Sequence, residues 1–264
     1  MSVSVLQMLR AAIALCALAG AGETARAQQK IGSTAAVIND VTRELSGVTG
    51  PLKAGDAVLR SEIVRTAAAS KAKLVFLDST NLVIGPGSEM TLDEFVYSGP
   101  AELQTAQNAQ TAQKMQVSMT RGVFRFTTGT LDKKAYLITT PLTSVTVQGT
   151  VLDIDVGSAQ TRVTLVEGRA LVCARKPGVT LDQQQRACAK APGRRHAAAC
   201  DCIEIDASGQ TAQVTKAGGA TRASLSSTPV DSAAVCASAS LCGVERYASA
   251  VGTSSFPRGS LCGH

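Results

Sequence analysis

Short runs of apolar and β-branched residues recur through much of this chain, and their regular recurrence limits its fold more than any other feature. Between residues 59 and 174 one run follows another about every ten residues, and turn residues separate them. No stretch between them has the pattern of a long helix. Such spacing is typical of a β-sandwich or barrel and unlike a parallel α/β sheet. The turns are too short for crossovers, so we expect antiparallel pairing.

The runs predict a series of short strands. They cover residues 59–64, 72–77, 82–84, 90–97, 115–119, 122–127, 135–139, 144–148, 151–156, 162–166 and 170–174. The tetrad Asp78-Ser79-Thr80-Asn81 predicts the turn of a hairpin over residues 72–84, because Asp and Asn cap their own backbone locally. Phe124 and Phe126 lie two positions apart on one strand face, which predicts that both belong to the core.

The other segments differ in composition from this strand-rich region. Residues 28–43 form a polar lead, and residues 100–114 are rich in Ala, Gln and Thr, which predicts an exposed insertion. Residues 176–264 form a Cys-rich tail, with one last hairpin expected from 203–205 and 212–214 and poor order from residue 217 onward. The predicted fold class is all-β: an antiparallel β-sandwich, jelly-roll-like, with a Cys-rich, poorly ordered C-terminal tail.

Residues 1–27 have the pattern of a Sec-type signal peptide. Arg10 precedes a short apolar run, and Ala25 and Ala27 occupy the −3 and −1 positions of a cleavage site. The run ends at Glu23 and is shorter than the roughly 20 residues that a membrane-spanning helix needs. We therefore expect a periplasmic or secreted protein that is not membrane-spanning. The alternative, an uncleaved weak anchor, would also leave the remaining chain outside the cytoplasm.

A series of short motifs follows in a fixed order. They are Leu52-x-x-Gly55-Asp56, Phe76-Leu77-Asp78 with Leu82, Gly85-Pro86-x-Ser88, Leu92-Asp93-x-Phe95-Val96-Tyr97, Arg121-Gly122-x-Phe124-Arg125-Phe126, Thr128-Gly129, Tyr136-x-Ile138-x-Thr140-Pro141, Gly149-Thr150 and Val166-Glu167-Gly168. By the order and spacing of these motifs, residues 44–175 resemble the FecR domain, which was first recognised in periplasmic regions of iron-citrate-type signalling regulators.

The resemblance implies a periplasmic binding or interaction module involved in envelope signalling or transport regulation. The chain departs from the family pattern at Gln148, where the family commonly has an arginine before the Gly-Thr step, so an anion contact by that side chain is not expected. The family's regulators also join a cytoplasmic sigma-factor-binding region to the domain through a membrane helix. We expect a stand-alone FecR domain-containing periplasmic protein without these parts, which cannot touch a cytoplasmic sigma factor.

The motif residues are interpreted as structural. Glycines fall at strand ends, where a positive φ or a close backbone approach is needed. Proline after a strand suits an edge or corner, and Asp favours turns. The predicted structural turn positions are Gly55, Asp56, Asp78, Gly85, Pro86, Gly122, Pro141, Gly149, Thr150, Glu167 and Gly168.

The sequence contains no pattern of a catalytic site. Its two histidines, His196 and His264, lie outside the predicted core, and it has no Gly-x-Ser-x-Gly, His-Glu-x-x-His or phosphate-binding loop motif. Asp153 and Asp155 share a strand face, which leaves an envelope hydrolase as an alternative, although such a pair is more often the solvated face of a strand. We expect no enzyme activity, no catalytic residue and no cofactor.

The cysteines are concentrated near the end of the chain. Cys16 leaves with the signal peptide, and the others are disulfide candidates that would compensate for missing apolar burial. These are Cys173, Cys188, Cys200, Cys202, Cys236, Cys242 and Cys262, an odd number that leaves one thiol free or paired with another chain. The spacing His196-x-x-x-Cys200-x-Cys202 lacks the usual two-residue gap of zinc sites, so no metal is predicted. A redox- or metal-handling protein that uses these cysteines is the first alternative function.

The net charge of +6 permits anionic partners but does not require them. The dense basic run over residues 186–195 has no aromatic residue to stack on bases, so nucleic acid is not expected. The sequence therefore predicts an exported, non-catalytic binding or interaction module of the cell envelope. Its expected partner is a protein or glycan of the envelope, and the oligomeric state is left open.

Overall fold

The structure, a computed structural model, describes residues 28–99, 113–180, 183–184, 186–187, 201–236 and 239–247. This part of the chain is dominated by β-strands, which confirms the predicted all-β class. The strands are β1 (Lys30–Ile38), β2 (Val41–Leu45), β3 (Val48–Pro51), β4 (Ala57–Leu59), β5 (Ile63–Thr66), β6 (Lys71–Phe76), β7 (Asn81–Ile84), β8 (Glu89–Val96), β9 (Lys114–Thr127), β10 (Tyr136–Thr139), β11 (Thr143–Val147), β12 (Val151–Val156), β13 (Gln160–Glu167), β14 (Ala170–Ala174), β15 (Cys202–Ile205), β16 (Thr211–Ala217) and β17 (Ala220–Ser226). Two short helices follow, α1 (Ser232–Val235) and α2 (Ala239–Cys242).

The strands form two sheets that share one long strand. In the first sheet the order is β4-β1-β6-β7-β9-β12-β13-β16-β17. In the second sheet it is β3-β2-β5-β8-β9-β10-β11-β14-β15. The first half of β9 pairs in the second sheet and its last six residues pair in the first. Gly122, with a φ of 99°, lies at this change, and a side chain there would collide with Ser88.

The core lies between the two sheets and is filled by alternate residues of their strands. Phe124 and Phe126 of β9 are fully buried in it, as predicted. The ring of Phe126 meets Tyr136 edge-on, with centroids 6.0 Å apart, and Phe76 stacks on Phe95 at 5.9 Å. Burial of each such ring stabilises the fold by about 1.5–3 kcal/mol.

Two predicted strand boundaries were wrong. Residues 115–119 and 122–127 form the single strand β9, because the chain bends at Gly122 without turning back. Residues 59–64 belong to two strands, β4 and β5, because Ser61 takes a φ of 64° and turns the chain between them. The predicted hairpin around Asp78 is confirmed as the β6–β7 pair.

The pairing of the strands differs from the prediction at three places. β9 and β10 run parallel, because residues 128–135 return the chain to the beginning of β9. Residues 167–169 join β13 in the first sheet to β14 in the second, so they close no hairpin. Residues 203–205 and 212–214 lie in β15 and β16, which extend different sheets and do not pair with each other.

The lead and the tail contribute strands that the sequence did not predict. β1 lies within the polar lead and pairs with β4 and β6, although its Gly, Ser, Thr and Ala residues give a weak apolar pattern. β17 begins three residues after the point where poor order was expected. It has few apolar side chains, but it pairs with β16 along its whole length through backbone hydrogen bonds. The predicted signal peptide, most of the insertion at 100–114 and parts of the tail lie outside the described residues. Among the helices of the described ranges, none has the length and apolar character needed to span a membrane.

Candidate functional site

One side chain from each of seven neighbouring strands forms a row across the outer face of the first sheet. From β1 to β16 these are Ala36, Lys73, Val83, Arg125, Asp153, Thr164 and Thr211, each directly opposite the next. The adjacent residues Leu74, Leu82 and Phe124 belong to the core between the sheets. Because successive strand residues point to opposite faces, these seven residues face away from the core. We call them the outer row.

Residues 229–236 and 239–247 cover the outer row, and we call these two described stretches the strap. It follows β17 and crosses the first sheet from β13 to β1. Asp231 begins α1 by accepting a hydrogen bond from the Ala233 N–H at 2.9 Å. Under the strap, Lys73 is 1% exposed and Asp153 is fully buried, although both carry a charge.

At the β13 end, hydrogen bonds from several side chains fix the strap. The Val230 N–H donates to Thr164 Oγ1 at 2.8 Å, and Ser232 Oγ donates to Asp153 Oδ2 at 2.6 Å. Arg162 Nη1 contacts the carbonyl oxygen of Pro229 at 3.4 Å. The strap is therefore attached here through its backbone and through one hydroxyl.

The carboxylates of β12 are each paired with an arginine. Arg125 donates to Asp153 through Nε at 2.7 Å and Nη2 at 2.6 Å, a bidentate arrangement. Asp155 is half-buried and accepts from Arg162 Nη2 at 2.6 Å. The two residues that the sequence offered as a hydrolase pair do share a face, but neither is a free acid or base.

An apolar contact anchors the middle of the strap. Val235 and Leu241 are buried against Val83 of the outer row, with exposures of 0% and 1%. The disulfide Cys236–Cys242 connects α1 with α2 across this contact, with Cα atoms 5.5 Å apart. Helices of four residues do not persist on their own, so the disulfide and the apolar contact together hold them in place.

Lys73 and Asn81 bind the strap at the β6 and β7 end. Lys73 Nζ donates to Glu245 Oε1 at 2.5 Å and to the Gly243 carbonyl at 2.7 Å. Asn81 donates from Nδ2 to the Glu245 carbonyl at 2.8 Å and accepts the Glu245 N–H at 3.0 Å. A buried ammonium group is costly unless it is paired and hydrogen-bonded, and the strap supplies both kinds of partner.

The strap ends beside the first strand. The Tyr247 N–H donates to Ser79 Oγ at 3.1 Å, and Lys30 Nζ of β1 lies 5.9 Å from the centre of the Tyr247 ring. An ammonium group at this distance is attracted to the face of the ring. The first strand and the last described residue therefore meet at one corner of the first sheet.

A second covered surface lies on the outer side of the second sheet. Cys173 of β14 and Cys202 of β15 face each other across the ladder and form a disulfide, with Cα atoms 4.0 Å apart. Leu171 and Ala187 pack against it. Gln184 Nε2 donates to the Ala174 carbonyl at 2.7 Å, which holds this part of the chain against the end of β14.

The structure thus pairs four of the candidate cysteines. Cys188, Cys200 and Cys262 lie outside the described residues, and so do His196 and His264. Because Cys202 is bonded to Cys173, it is not available as a thiolate for the site considered with His196 and Cys200. Within the described ranges no three His, Cys, Asp or Glu side chains lie close enough together to hold a metal ion.

Most of the predicted turn residues lie where the chain turns or changes sheet. Gly55 has a φ of 89°, and Asp56 Oδ2 accepts the Lys53 N–H at 2.8 Å in the same turn. Gly168 also has a φ of 89°, and a side chain on it would collide with the carbonyl of Gly149. Glycine is therefore required where the chain passes from β13 to β14.

The remaining turn positions have similar surroundings. Thr150 Oγ1 accepts the Gln148 N–H at 2.9 Å and donates to the Arg169 carbonyl at 2.8 Å, which ties two turns together. Gly85 and Pro86 follow β7, Pro141 lies between β10 and β11, and Glu167 is the last residue of β13.

Asp78 has a larger role than the turn that the sequence predicts. Its carboxylate is fully buried and accepts hydrogen bonds from Thr80 Oγ1 at 2.6 Å and from the hydroxyl of Tyr136 at 2.8 Å. The Tyr136 hydroxyl accepts in turn from the Leu131 N–H at 3.0 Å. Burial and the nearby Asp78 carboxylate raise the pKa of Tyr136 well above its ordinary range. Tyr136 therefore stays protonated and donates to Asp78.

Glu62 is a second buried carboxylate, in the turn between β4 and β5. Its Oε2 accepts the Leu59 N–H at 2.8 Å. Arg43 Nε lies 2.9 Å from Oε1 but is not directed along a hydrogen bond to it. Burial raises the pKa of Glu62, and the Leu59 N–H and Arg43 offset this only in part.

Gln148 lines a shallow hollow on the outer side of the second sheet. The hollow has a volume of 160 Å³, and Thr146, Arg169 and Glu204 also line it. Arg169 Nη1 lies 3.3 Å from Glu204 Oε1, so its charge is already balanced. The hollow is therefore a weak candidate for an anion site.

The outer row and the strap were not predicted from the sequence. Lys73, Asn81 and Glu245 belong to no motif, and which side chains meet depends on the register of strands that are distant in sequence. One signal was available, because Lys73 interrupts an apolar run and Arg125 stands between two core phenylalanines. A charged residue inside such a run marks an outward-facing position.

Residues 62–171 match the family model described as FecR protein. This region is therefore similar to FecR domains. It begins just before β5 and ends within β14, and it supplies Lys73, Val83, Arg125, Asp153 and Thr164 of the outer row. β1 to β4, β15 to β17 and the strap lie outside the matched residues.

A comparison with solved structures also found similar chains. Two crystal structures of a proposed anti-sigma factor from Parabacteroides distasonis ATCC 8503, at 1.65 and 2.50 Å resolution, are each 12% identical to this chain, with TM-scores of 0.39 and 0.38. Each comparison covers 62% of this chain and 59% of the other, so the match spans less than two thirds of those proteins. A comparison with curated proteins found no match.

Proposed function

We propose that this protein is a non-catalytic interaction module of the cell envelope that takes part in signalling regulation. The similarity of residues 62–171 to FecR domains supports the regulatory role. The observation that carries the non-catalytic part is the pairing of the two candidate carboxylates. Arg125 and Ser232 occupy Asp153, and Arg162 occupies Asp155, so neither is left to activate water.

The proposed site of action is the periplasm or the outside of the cell. The signal-peptide pattern of residues 1–27 supports export. The two described disulfides support it as well, because disulfides persist in oxidising compartments and are rare in the cytosol. Cell fractionation followed by N-terminal sequencing tests this proposal. The mature protein should begin at Gln28, and an unprocessed chain retained in the cytosol would contradict export.

The proposed partner is a protein or glycan of the envelope. A photo-reactive amino acid placed at exposed positions tests this in intact cells, for example at Val48 and Leu225, which are 74% and 61% exposed. The same substitution at the buried Val172 is the matched control. We expect one reproducible adduct that excess purified protein competes away. A measurable hydrolytic turnover that is lost on Asp153→Asn would instead favour an enzyme.

A further inference from the structure

We propose that the outer row is an interaction surface for a partner protein, and that the strap competes with this partner for the same surface. The partner segment would be a peptide with an apolar residue followed four positions later by a carboxylate. This inference deepens the proposed function, on which it rests, by naming the surface and the chemistry of the partner. The strap supplies the template, because Leu241 and Glu245 have this spacing and place their side chains against Val83 and Lys73.

Many of the hydrogen bonds that hold the strap are made to its backbone and not to its side chains. Asn81 bonds both backbone groups of Glu245, Lys73 bonds the Gly243 carbonyl, and Lys71 Nζ reaches the Val235 carbonyl at 3.3 Å. Contacts of this kind form with any chain that follows the same path. Another peptide in the place of the strap would therefore keep these hydrogen bonds.

Besides Val235 at Val83 and Ser232 at Asp153, two strap side chains define the proposed spacing. Leu241 fills the apolar patch at Val83, and the Glu245 carboxylate reaches Lys73 Nζ. Lys73 lies fully beneath the strap, whereas the side chain of Glu245 is half exposed. A partner that presents a carboxylate at this point could replace Glu245, because the ammonium group of Lys73 would still have a negatively charged partner.

The surface beneath the strap is suited to exposure. Lys73, Asn81 and Arg125 are polar and would be hydrated if the strap left, while Val83 with Ala36 and Val123 forms only a small apolar patch. The backbone ladders of β6, β7 and β9 are complete without the strap. The strap itself contains only one-turn helices and places Val244 in solvent, with 67% exposure. Its departure would therefore leave the sheet intact.

The test uses the full-length oxidised protein and a fluorescent synthetic peptide of residues 229–247 with its disulfide closed. The variant Glu245→Lys places an ammonium group against Lys73, so its own strap should leave the outer row. We expect the peptide to bind Glu245→Lys at least roughly tenfold more tightly than the wild type, whose surface is already occupied. Glu204→Lys, the same charge change on the second sheet, is the matched control and should bind like the wild type.

Peptide chemistry and hydrogen exchange complete the test. A peptide carrying Lys at the position of Glu245 should not bind the Glu245→Lys variant, and the protein variant Lys73→Glu should reverse this preference.

In Glu245→Lys, strap amides should lose hydrogen-exchange protection while amides of β7 and β9 keep it. The inference would be overturned if the strap kept its protection, or if the strap and the sheet lost protection together. It would also be overturned if the strap left the outer row but the peptide did not bind. None of these outcomes would affect cross-linking at Val48 or Leu225, so the proposed function can be judged separately.

Discussion

Asp78 and Tyr136 are separated by 58 residues and meet in a buried hydrogen bond of 2.8 Å. Together they join the turn after β6 to the start of β10, and the Leu131 N–H completes the network. The sequence indicated only that Asp78 forms a turn, because its local pattern carries that information. The tyrosine partner could not be predicted, since no local pattern reveals a contact over this separation.

Tyr136→Phe should destabilise the protein by about 1–3 kcal/mol, because it leaves the Leu131 N–H and a carboxylate oxygen of Asp78 without their shared partner in the core. Urea unfolding of both proteins measures this difference. Tyr97→Phe removes the same hydroxyl from a half-buried ring outside this network, and it should cost clearly less. If the two substitutions lowered the free energy of unfolding equally, the buried network would not contribute to stability beyond an ordinary tyrosine hydroxyl.

The raised pKa of Glu62 predicts a specific dependence of stability on pH. A carboxyl group that binds its proton more tightly in the folded state stabilises that state below its unfolded pKa and loses this contribution as pH rises through its folded pKa. The free energy of unfolding of the wild type relative to Glu62→Gln should therefore be highest at low pH and fall as pH rises. Unfolding curves of both proteins between about pH 3 and 8 measure this. A relative stability that rises with pH would contradict the raised pKa.

At the scale of elements, the strap depends on its disulfide. The double variant Cys236→Ser/Cys242→Ser removes a cross-link between two one-turn helices, and a closed loop of this size contributes about 2 kcal/mol. We expect strap amides to exchange faster with solvent in this variant, while amides of β7 and β9 stay protected. Hydrogen exchange followed by mass spectrometry measures both regions.

The matched control is Cys173→Ser/Cys202→Ser, which removes the cross-link between β14 and β15. It should speed exchange in β15 and leave the strap unchanged. The same pattern of exchange in both double variants would mean that the strap has no separate stability.

Strand positions were largely predictable from the sequence, whereas strand partners were not. β6, β7, β12 and β14 follow from apolar alternation between turn residues, which is a local property. The shared strand β9, the parallel β9–β10 pair and the path of the strap depend on register and on contacts between distant segments. The outer row could therefore be recognised only once the order of the strands was known.

At the scale of the whole molecule, the folded body extends beyond residues 62–171. Ile203, Ile205, Ala212 and Val214 of β15 and β16 belong to the main core. Burial of large apolar side chains contributes about 1.5–3 kcal/mol each, and a domain of this size has only about 5–15 kcal/mol of net stability. The strands after β14 are therefore part of the same folding unit.

A fragment of residues 28–175 should consequently lose cooperative unfolding, because it lacks β15 and β16 and exposes the core face of β13 and β14. A fragment of residues 28–228 keeps β1 to β17 and ends before the strap, so it should unfold in one cooperative transition. Urea denaturation followed by circular dichroism compares the two. Cooperative unfolding of the shorter fragment would show that the tail strands are dispensable.

The contact between Lys30 and Tyr247 has a practical consequence for fusing this protein to a carrier. Because the start of β1 and the end of the strap at Tyr247 share one corner, a carrier fused before β1 holds the body at the same point as a carrier fused directly after Tyr247. Either fusion presents the same surfaces at the same distance from the carrier. A short linker between the two ends would likewise allow new termini to be opened at a distant turn.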